Sequence, residues 1–303
     1  MIYGCDGGNC GKCLSRLVSG VIQRIHHSDF ILNPTQKDNN QFLSCCYAAT
    51  SDVEMEAIEI GNVNEIPEQS IQVRVSKLKL LSKTVMSVVF KTPRSQPLSF
   101  LSGQYVSVSI NGNLSSNQSL ASCHCDGLNL EIHVKYRPHD PFSEYVFQQL
   151  KKHEQVEING PRGDFVMNDE SIRPLVFIAF DTGFASIKSL LEHAIALEKV
   201  QPIKLYWIVM ADEQPYLDNY CRSLVDALDN FSYSAKHIPL HSPIAHKRVM
   251  EKIIARETSL KQSDIYLSLP EEFRRMAQEM FIHAELDERH WSIDSIPILL
   301  ANG

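Results

Sequence analysis

The chain has 303 residues, more than one ordinary core accommodates, so two or three domains are expected. It is 44% hydrophobic and 21% charged with a formal net charge of −7, and that acidic balance argues against nucleic acid as a partner, because phosphates demand a basic face. No apolar run approaches the roughly 18 residues that span a bilayer, and no charged-then-apolar leader marks a signal peptide; a cytoplasmic location is the expectation.

The first landmark is the opening stretch, "MIYGCDGGNCGKC". Five of the eight cysteines, Cys5, Cys10, Cys13, Cys45 and Cys46, crowd the amino-terminal region. Local clustering in a long chain without a secretion signal fits metal or cluster binding better than a disulfide framework. Cys5, Cys10 and Cys13 follow the C-x4-C-x2-C pattern, and Cys45 supplies a distant fourth thiol. This is the plant-type spacing for a [2Fe–2S] cluster. Zinc would favour a second C-x2-C pair, and there is none. Gly7, Gly8 and Gly11 allow the positive φ that a loop aiming three sulfurs inward requires, and let backbone N–H groups approach sulfur. Cys46 reads as the non-ligand, its side chain directed away from that of Cys45.

Residues 61–70, "GNVNEIPEQS", are polar without helical period and read as a linker. From Ile71 onward "IQVRVSKLKLL", "MSVVFKT", "GQYVSVSI" and "LNLEIHVKY" alternate apolar and polar residues, as half-buried strands do. "PFSEYVFQQLKK" reads as a short amphipathic helix and "EQVEINGPRGDFVM" as two strands round a Gly-Pro turn. A small antiparallel β-barrel is the expectation. After Pro174 the rhythm changes. "PLVFIAF", "IKLYWIVM", "SYSAKHIP" and "SDIYLSL" read as strands, and "ASIKSLLEHAIALE", "YLDNYCRSLVDAL" and "PEEFRRMAQEMFIHA" as helices. Alternating strands and helices predict an open parallel sheet with a ligand crevice at the carboxyl ends of its strands.

"YGCDGGNCGKC", "SCCYAATSDVEME", "FLSGQYVSVSI", "NGPRGDFVM" and "PFSEYVFQQL" together resemble the ferredoxin reductase-like oxidoreductases, the reductase components of bacterial oxygenases and related flavin reductases. The resemblance implies a multidomain α+β chain. A partial β-grasp ferredoxin domain would occupy residues 1–62, an antiparallel β-barrel flavin domain 70–169, and an α/β parallel-sheet nucleotide domain 172–303. It implies electron flow from NAD(P)H through FAD and a [2Fe–2S] cluster to an electron-acceptor protein such as an oxygenase component. In the family a β-hairpin and a helix precede the first cluster ligand. Only Met1 to Gly4 do so here, and strands flanking "RLVSGVI" are missing from the pattern, so either coding sequence continues upstream or the domain is incomplete.

The cofactor motifs depart from the family. Its R-x-Y-S segment, with an Arg for flavin phosphate and a Tyr for the ring, is replaced by "SNQSLAS": Ser119 matches the family Ser, while Ser116 and Gln118 stand at the Arg and Tyr positions. "PHDPFS" replaces a Gly-Gly turn, putting His139 and Asp140 where bare backbone usually approaches phosphate and leaving Ser143 as a flavin-side candidate. The family's "AGGTGFAP" becomes "AFDTGFAS". Thr182 and Gly183 remain as nucleotide-side candidates, while Phe180 and Asp181 replace glycines, and Asp181 reads as a helix cap that mimics the anionic ligand. The C-G-P motif becomes Ser268, Leu269 and Pro270, and the tail matches only at Asp294 and nearby Trp291, which reads as a core residue. In "SCHCDG" three adjacent residues rarely converge on one ion, so Cys123 and Cys125 read as buried or loop thiols. Two functions follow: the full reductase, or a reductase-like iron–sulfur or partner-binding subunit that no longer turns over NAD(P)H.

Overall fold

The computed structural model describes residues 8, 11, 13–57, 63, 66–126, 128–239, 243–257 and 259–296. The amino-terminal part contains β1 (Leu14–Ser19), β2 (Ile22–Arg24), α1 (Pro34–Asp38), β3 (Gln41–Leu43), β4 (Tyr47–Ala49) and β5 (Glu54–Ala57). They form two small antiparallel sheets, β3-β1-β5 and β2-β4. The segment "RLVSGVI" is therefore flanked after all: β1 lies between β3 and β5, which come from later sequence. A small core of Cys13, Leu43 and Cys46 is edged by Phe30 and Tyr47. Of the expected linker 61–70, residues 61, 62, 64 and 65 fall outside the described residues, and its last two, Gln69 and Ser70, already belong to the first strand of the next sheet.

The middle of the chain is a curled six-stranded antiparallel sheet of β6 (Gln69–Leu80), β7 (Val85–Lys91), β8 (Tyr105–Ile110), β9 (Leu114–Ser119), β10 (Asn129–Lys135) and β11 (Gln155–Arg162), with α2 (Pro141–Gln148) before the last strand. The strand order is β10-β7-β6-β11-β8-β9, and a bridge between Leu120 and Ile132 draws its two edges together. Alternation decides which face is core: Ile71, Val73 and Val75 point inward from β6 with Val106, Val108, Ile132 and Ile158, while the residues between them face water. Two expectations change. "EQVEINGPRGDFVM" contains one strand, not two, because the Gly-Pro step makes a register shift within β11 instead of a reversal. "LSSNQS" forms β9, whose polar composition hid it from an apolar-alternation reading.

The carboxyl-terminal part is a five-stranded parallel sheet. Its elements are β12 (Leu175–Phe180), α3 (Phe184–Ala196), β13 (Ile203–Met210), α4 (Asp218–Ala227), β14 (Phe231–Ile238), α5 (Pro243–Arg256), β15 (Asp264–Pro270), α6 (Glu271–His283) and β16 (Trp291–Ile296). The strand order is β14-β13-β12-β15-β16. Leu175, Phe177 and Ala179 of β12 pack with α3 and α4, whereas Val176, Ile178 and Phe180 pack with α5 and α6. Burial on both faces explains the unbroken apolar run of "PLVFIAF". Helix α5 and strand β16 went unassigned in the sequence reading: α5 carries charges among its apolar residues, and β16 is half polar. Among the described residues, no helix is long and apolar enough to cross a membrane.

The two larger units are joined by charge. Lys188 of α3 is 7% exposed, and its ammonium donates to Ala121 O at 2.9 Å, Glu131 Oε2 at 3.1 Å and Glu192 Oε1 at 2.7 Å. Glu131 on β10 also accepts from Ser87 and His133, and His133 meets Tyr216 Oη at 3.0 Å. Burial alone would raise the Glu131 pKa. The His133 hydrogen bond and charge, Lys188 and Ser87 outweigh it and hold the carboxyl well below the usual range. Such a group contributes stability above its unfolded pKa, about 4.3, that is lost as pH falls below it. Lys188→Ala is expected to destabilise by about 3 kcal/mol, because it leaves buried carboxylates uncompensated. It should also move the acid unfolding midpoint to higher pH. Urea unfolding across a pH series checks both.

Candidate cofactor crevice and cysteine pair

Strand order reverses beside β12, with β13 and β14 on one side and β15 and β16 on the other. Open α/β sheets hold ligands at the carboxyl ends of strands at such a switch point. Here that edge faces β9 and β10 of the antiparallel unit across a cavity of about 330 Å³. Its walls include Tyr105, Ser119, Lys135 and Arg137 on one side and Thr182, Ala185 and Asp294 on the other.

On the parallel-sheet side the chain leaves β12 through a single 3-10 turn, Asp181–Gly183, before α3 begins. Thr182 lines the cavity, while Gly183 is buried at the helix start. Asp181 adopts φ 47°, the left-handed region that glycine tolerates best. It does not cap the helix, contrary to the sequence reading. Its carboxylate turns across the crevice to Lys135 Nζ at 2.5 Å, and Lys135 also meets Glu213 at 3.1 Å. Burial alone would lower the Lys135 pKa, but these two carboxylates hold it above its ordinary value. The indole of Trp207, stacked on Phe184, donates to Asp181 O at 3.0 Å and fixes the turn from below. Phe180 is 5% exposed in the core on the other face, so only Asp181 of the two substituted positions points at the crevice.

Deeper in, Ser186 Oγ and Ser268 Oγ lie 3.2 Å apart and 2.9 and 3.2 Å from Asp294 Oδ2. Asp294, the match to the family tail, thus meets two serines that stand where the family motifs have Pro and Cys, and the three form one hydroxyl–carboxylate group. Trp291 packs edge-on against Phe281 beside the core, as the sequence reading held.

On the other wall Ser119 pairs with Tyr105 across β8 and β9, and the Tyr105 ring lines the cavity. Gln118 donates to Ser116 Oγ at 2.9 Å. The arginine absent from position 116 has a counterpart on the facing segment, since Arg137 also lines the cavity. Sequence reading missed Tyr105, Lys135 and Arg137 because they precede or follow the family motif and become neighbours only when the sheet curls. Ser143 is buried in its own turn, where its hydroxyl meets Arg137 O at 3.0 Å and Asp140 O at 3.2 Å. Asp140 is the α2 N-cap, accepting from Ser143 N at 3.2 Å, and His139 holds φ 66° where the family has glycine. A planar aromatic ring, hydroxyls, an amide and a guanidinium suit the ring and tether of a flavin.

Of the four expected cluster ligands, Cys13 and Cys45 are described, and their sulfurs lie 3.2 Å apart. Cys5 and Cys10 fall outside the described residues. Gly8 and Gly11 take φ 69° and 71°, and a Cβ would meet Cys46 Sγ at 2.5 Å and Phe30 at 2.3 Å. Only glycine fits that close approach. Burial pushes the Cys13 thiol up to about 11 and raises that of Cys45, which a Gly8 backbone hydrogen bond partly offsets. Both groups are therefore held as thiols in the metal-free chain, and a bound cation would have to displace their protons to be ligated by them. The Cys46 side chain does not point away: residues 44–46 form a 3-10 turn, not a strand, and its sulfur lies 3.7 Å from that of Cys45.

Residues 1–50 match the 2Fe-2S iron-sulfur cluster binding domain, and residues 72–167 match the oxidoreductase FAD-binding domain. Over these stretches the chain is similar to the ferredoxin reductase-like oxidoreductases that its sequence resembles. Among its curated relatives, the CDP-6-deoxy-L-threo-D-glycero-4-hexulose-3-dehydrase reductase of Yersinia pestis is 28% identical over 71% of this chain and 64% of that protein. The chain thus spans about two thirds or less of the first such relatives. The reductase component of propane 2-monooxygenase from Mycolicibacterium smegmatis is 24% identical over 89% of this chain and 81% of that protein. The fold agrees with that of the Amycolatopsis cytochrome P450 reductase GcoB, at a TM-score of 0.69 and 19% identity, over 98% of this chain and 91% of that one.

Replacing Asp181 by Gly removes a carboxylate from the crevice and frees Lys135 for an anion. Affinity for a nicotinamide dinucleotide is expected to rise about tenfold, the weight of one charge-assisted contact. A fluorescence titration measures it, and an unchanged affinity would show that the ion pair does not gate the crevice.

Proposed function

We propose that this chain is an NAD(P)H-dependent reductase component that delivers electrons through FAD and a [2Fe–2S] cluster to a partner protein such as an oxygenase component. The observation that carries the reading is the crevice in which the β9 edge of the FAD-binding domain faces the switch point of a parallel sheet, in a chain that also brings Cys13 and Cys45 together. When bound, the flavin supplies the conversion of a two-electron hydride input into single electrons that the cluster can carry. Residues 1–62 read as a β-grasp ferredoxin module holding the cluster on Cys5, Cys10, Cys13 and Cys45. Residues 70–169 read as the flavin domain and 172–303 as the nucleotide domain.

Each wall then has a task. Tyr105 and Ser119 border the flavin ring, and Arg137 balances phosphate charge. Ser143 fixes the Arg137 turn through its hydroxyl, so its role is to position that cation. Thr182 and the start of α3 at Gly183 present backbone to the incoming nucleotide. Asp294 lines the cavity and offers its carboxylate to a carboxamide, while the buried hydroxyls of Ser186 and Ser268 hold it in place.

A second reading, a reductase-like iron–sulfur or partner-binding subunit without NAD(P)H turnover, is favoured by one observation: Asp181 and Glu213 already neutralise Lys135 where an anion would enter. The absorption spectrum of purified protein separates the two. The reductase shows flavin and cluster bands that NADH or NADPH bleaches, whereas the subunit shows cluster bands that respond only to dithionite. Cys45→Ser is expected to abolish cluster absorption and acid-labile sulfide while leaving flavin content unchanged. Retention of iron and sulfide in that variant would remove Cys45 from the ligand set.

A further inference from the structure

Away from the crevice, the barrel segment after Leu120 packs against α3, and three ligand-bearing side chains converge there. We propose that Cys123, His124 and His193 form a binding site for a divalent transition metal ion, zinc by its donor chemistry, in the form of the chain whose Cys123–Cys125 bond is open. One ligand atom from each of the three lies within 4.8 Å of the others. The sequence shows only the C-H-C triplet, and its members by themselves do not surround an ion. The third donor comes from α3, and the imidazoles of His124 and His193 meet edge to face at 4.4 Å.

The surroundings are those of a supported metal site. His193 Nε2 lies 2.8 Å from Asp169 Oδ1, which leaves Nδ1 as the nitrogen with a free lone pair. His124 Nδ1 lies 3.1 Å from Ser102 Oγ, which leaves Nε2. Carboxylate and hydroxyl partners of this kind fix tautomer and ring orientation in zinc centres. Cys125 N donates to Cys123 Sγ at 3.3 Å, a contact that steadies a thiolate. Closing a tetrahedral shell with sulfur at about 2.3 Å and nitrogen at about 2.0 Å from zinc needs only a short inward movement of these groups.

In the structure Cys123 and Cys125 are joined as a disulfide. A phosphine reductant supplies the two electrons and is oxidised to the phosphine oxide, while water supplies its oxygen and the two protons that convert the disulfide to two thiols. Each thiol gives up its proton as zinc binds, so two thiolates balance the ion, with Cys125 as the fourth donor. The closed set of two sulfurs and two nitrogens suits a structural rather than a catalytic ion. Its effect is to fasten the barrel loop to α3, where Cys123 N already donates to Glu192 Oε2 at 3.2 Å.

The test uses the full chain with its cluster, reduced with a phosphine, exposed to excess zinc and desalted. Elemental analysis and the zinc absorption edge are then read, which iron does not disturb. The expected result is one zinc per chain with a mixed sulfur and nitrogen shell. His193→Gln should lose it, and Asp169→Asn should weaken zinc binding about 10- to 100-fold. Cys45→Ser should leave the zinc content unchanged. Absence of zinc from the reduced chain, or an all-sulfur shell, overturns the proposal, the latter placing the ion on the amino-terminal cysteines. If His193→Gln does not fold, the nitrogen content of the wild-type shell alone decides.

Discussion

One buried ammonium sets the geometry of the larger part of this molecule. Lys188 lies near the middle of α3, with a barrel carbonyl and carboxylates from both units around it. An unpaired charge there would cost several kcal/mol, so the two units are stable together only in the arrangement that surrounds it. Neighbouring hydroxyl contacts add direction: Ser189 Oγ donates to Ser122 O at 2.7 Å and accepts from Gly103 N at 3.3 Å. Because α3 starts at the Asp181–Gly183 turn, fixing the helix also fixes how far that turn stands from β10.

That distance gives the crevice its character. Lys135 reaches from β10 to Asp181, so the facing walls are bridged by an ion pair where family members have bare glycine backbone. Asp181 and His139 both occupy left-handed conformations. Both are conformations that glycine, the family residue at these places, adopts without strain, and here the side chains add charge and bulk where the family has none.

Much of this was legible in the sequence. Alternation identified β6, β7, β8 and β10, and unbroken apolar runs identified β12 and β13, because burial on one face or two leaves distinct patterns. The C-x4-C-x2-C spacing pointed to Cys13 and Cys45, whose sulfurs do meet. What escaped were features that depend on distant partners. Polar β9 is a strand because β8 offers it an edge, and β16 because β15 does. Asp181 read as a cap since local rules favour carboxylates at helix starts, but Lys135, far away in sequence, competes more strongly for it. The clustering of Ser186, Ser268 and Asp294 was hidden, because Asp294 was an isolated match in the tail and the two serines stood at departures from separate motifs.

Trp207 is one of two tryptophans in the chain, fully buried, stacked on Phe184 and hydrogen-bonded to the carbonyl of Asp181. Its indole is thus wired to the turn that links β12 to α3 beside the crevice. The protein carries an intrinsic optical probe at that point: blue emission reports the turn in place, and a red shift reports its displacement. With Trp291 packed at the opposite side of the sheet against Phe281, the two emitters sit in separate cores, and a change confined to one of them tells which half of the nucleotide domain has moved.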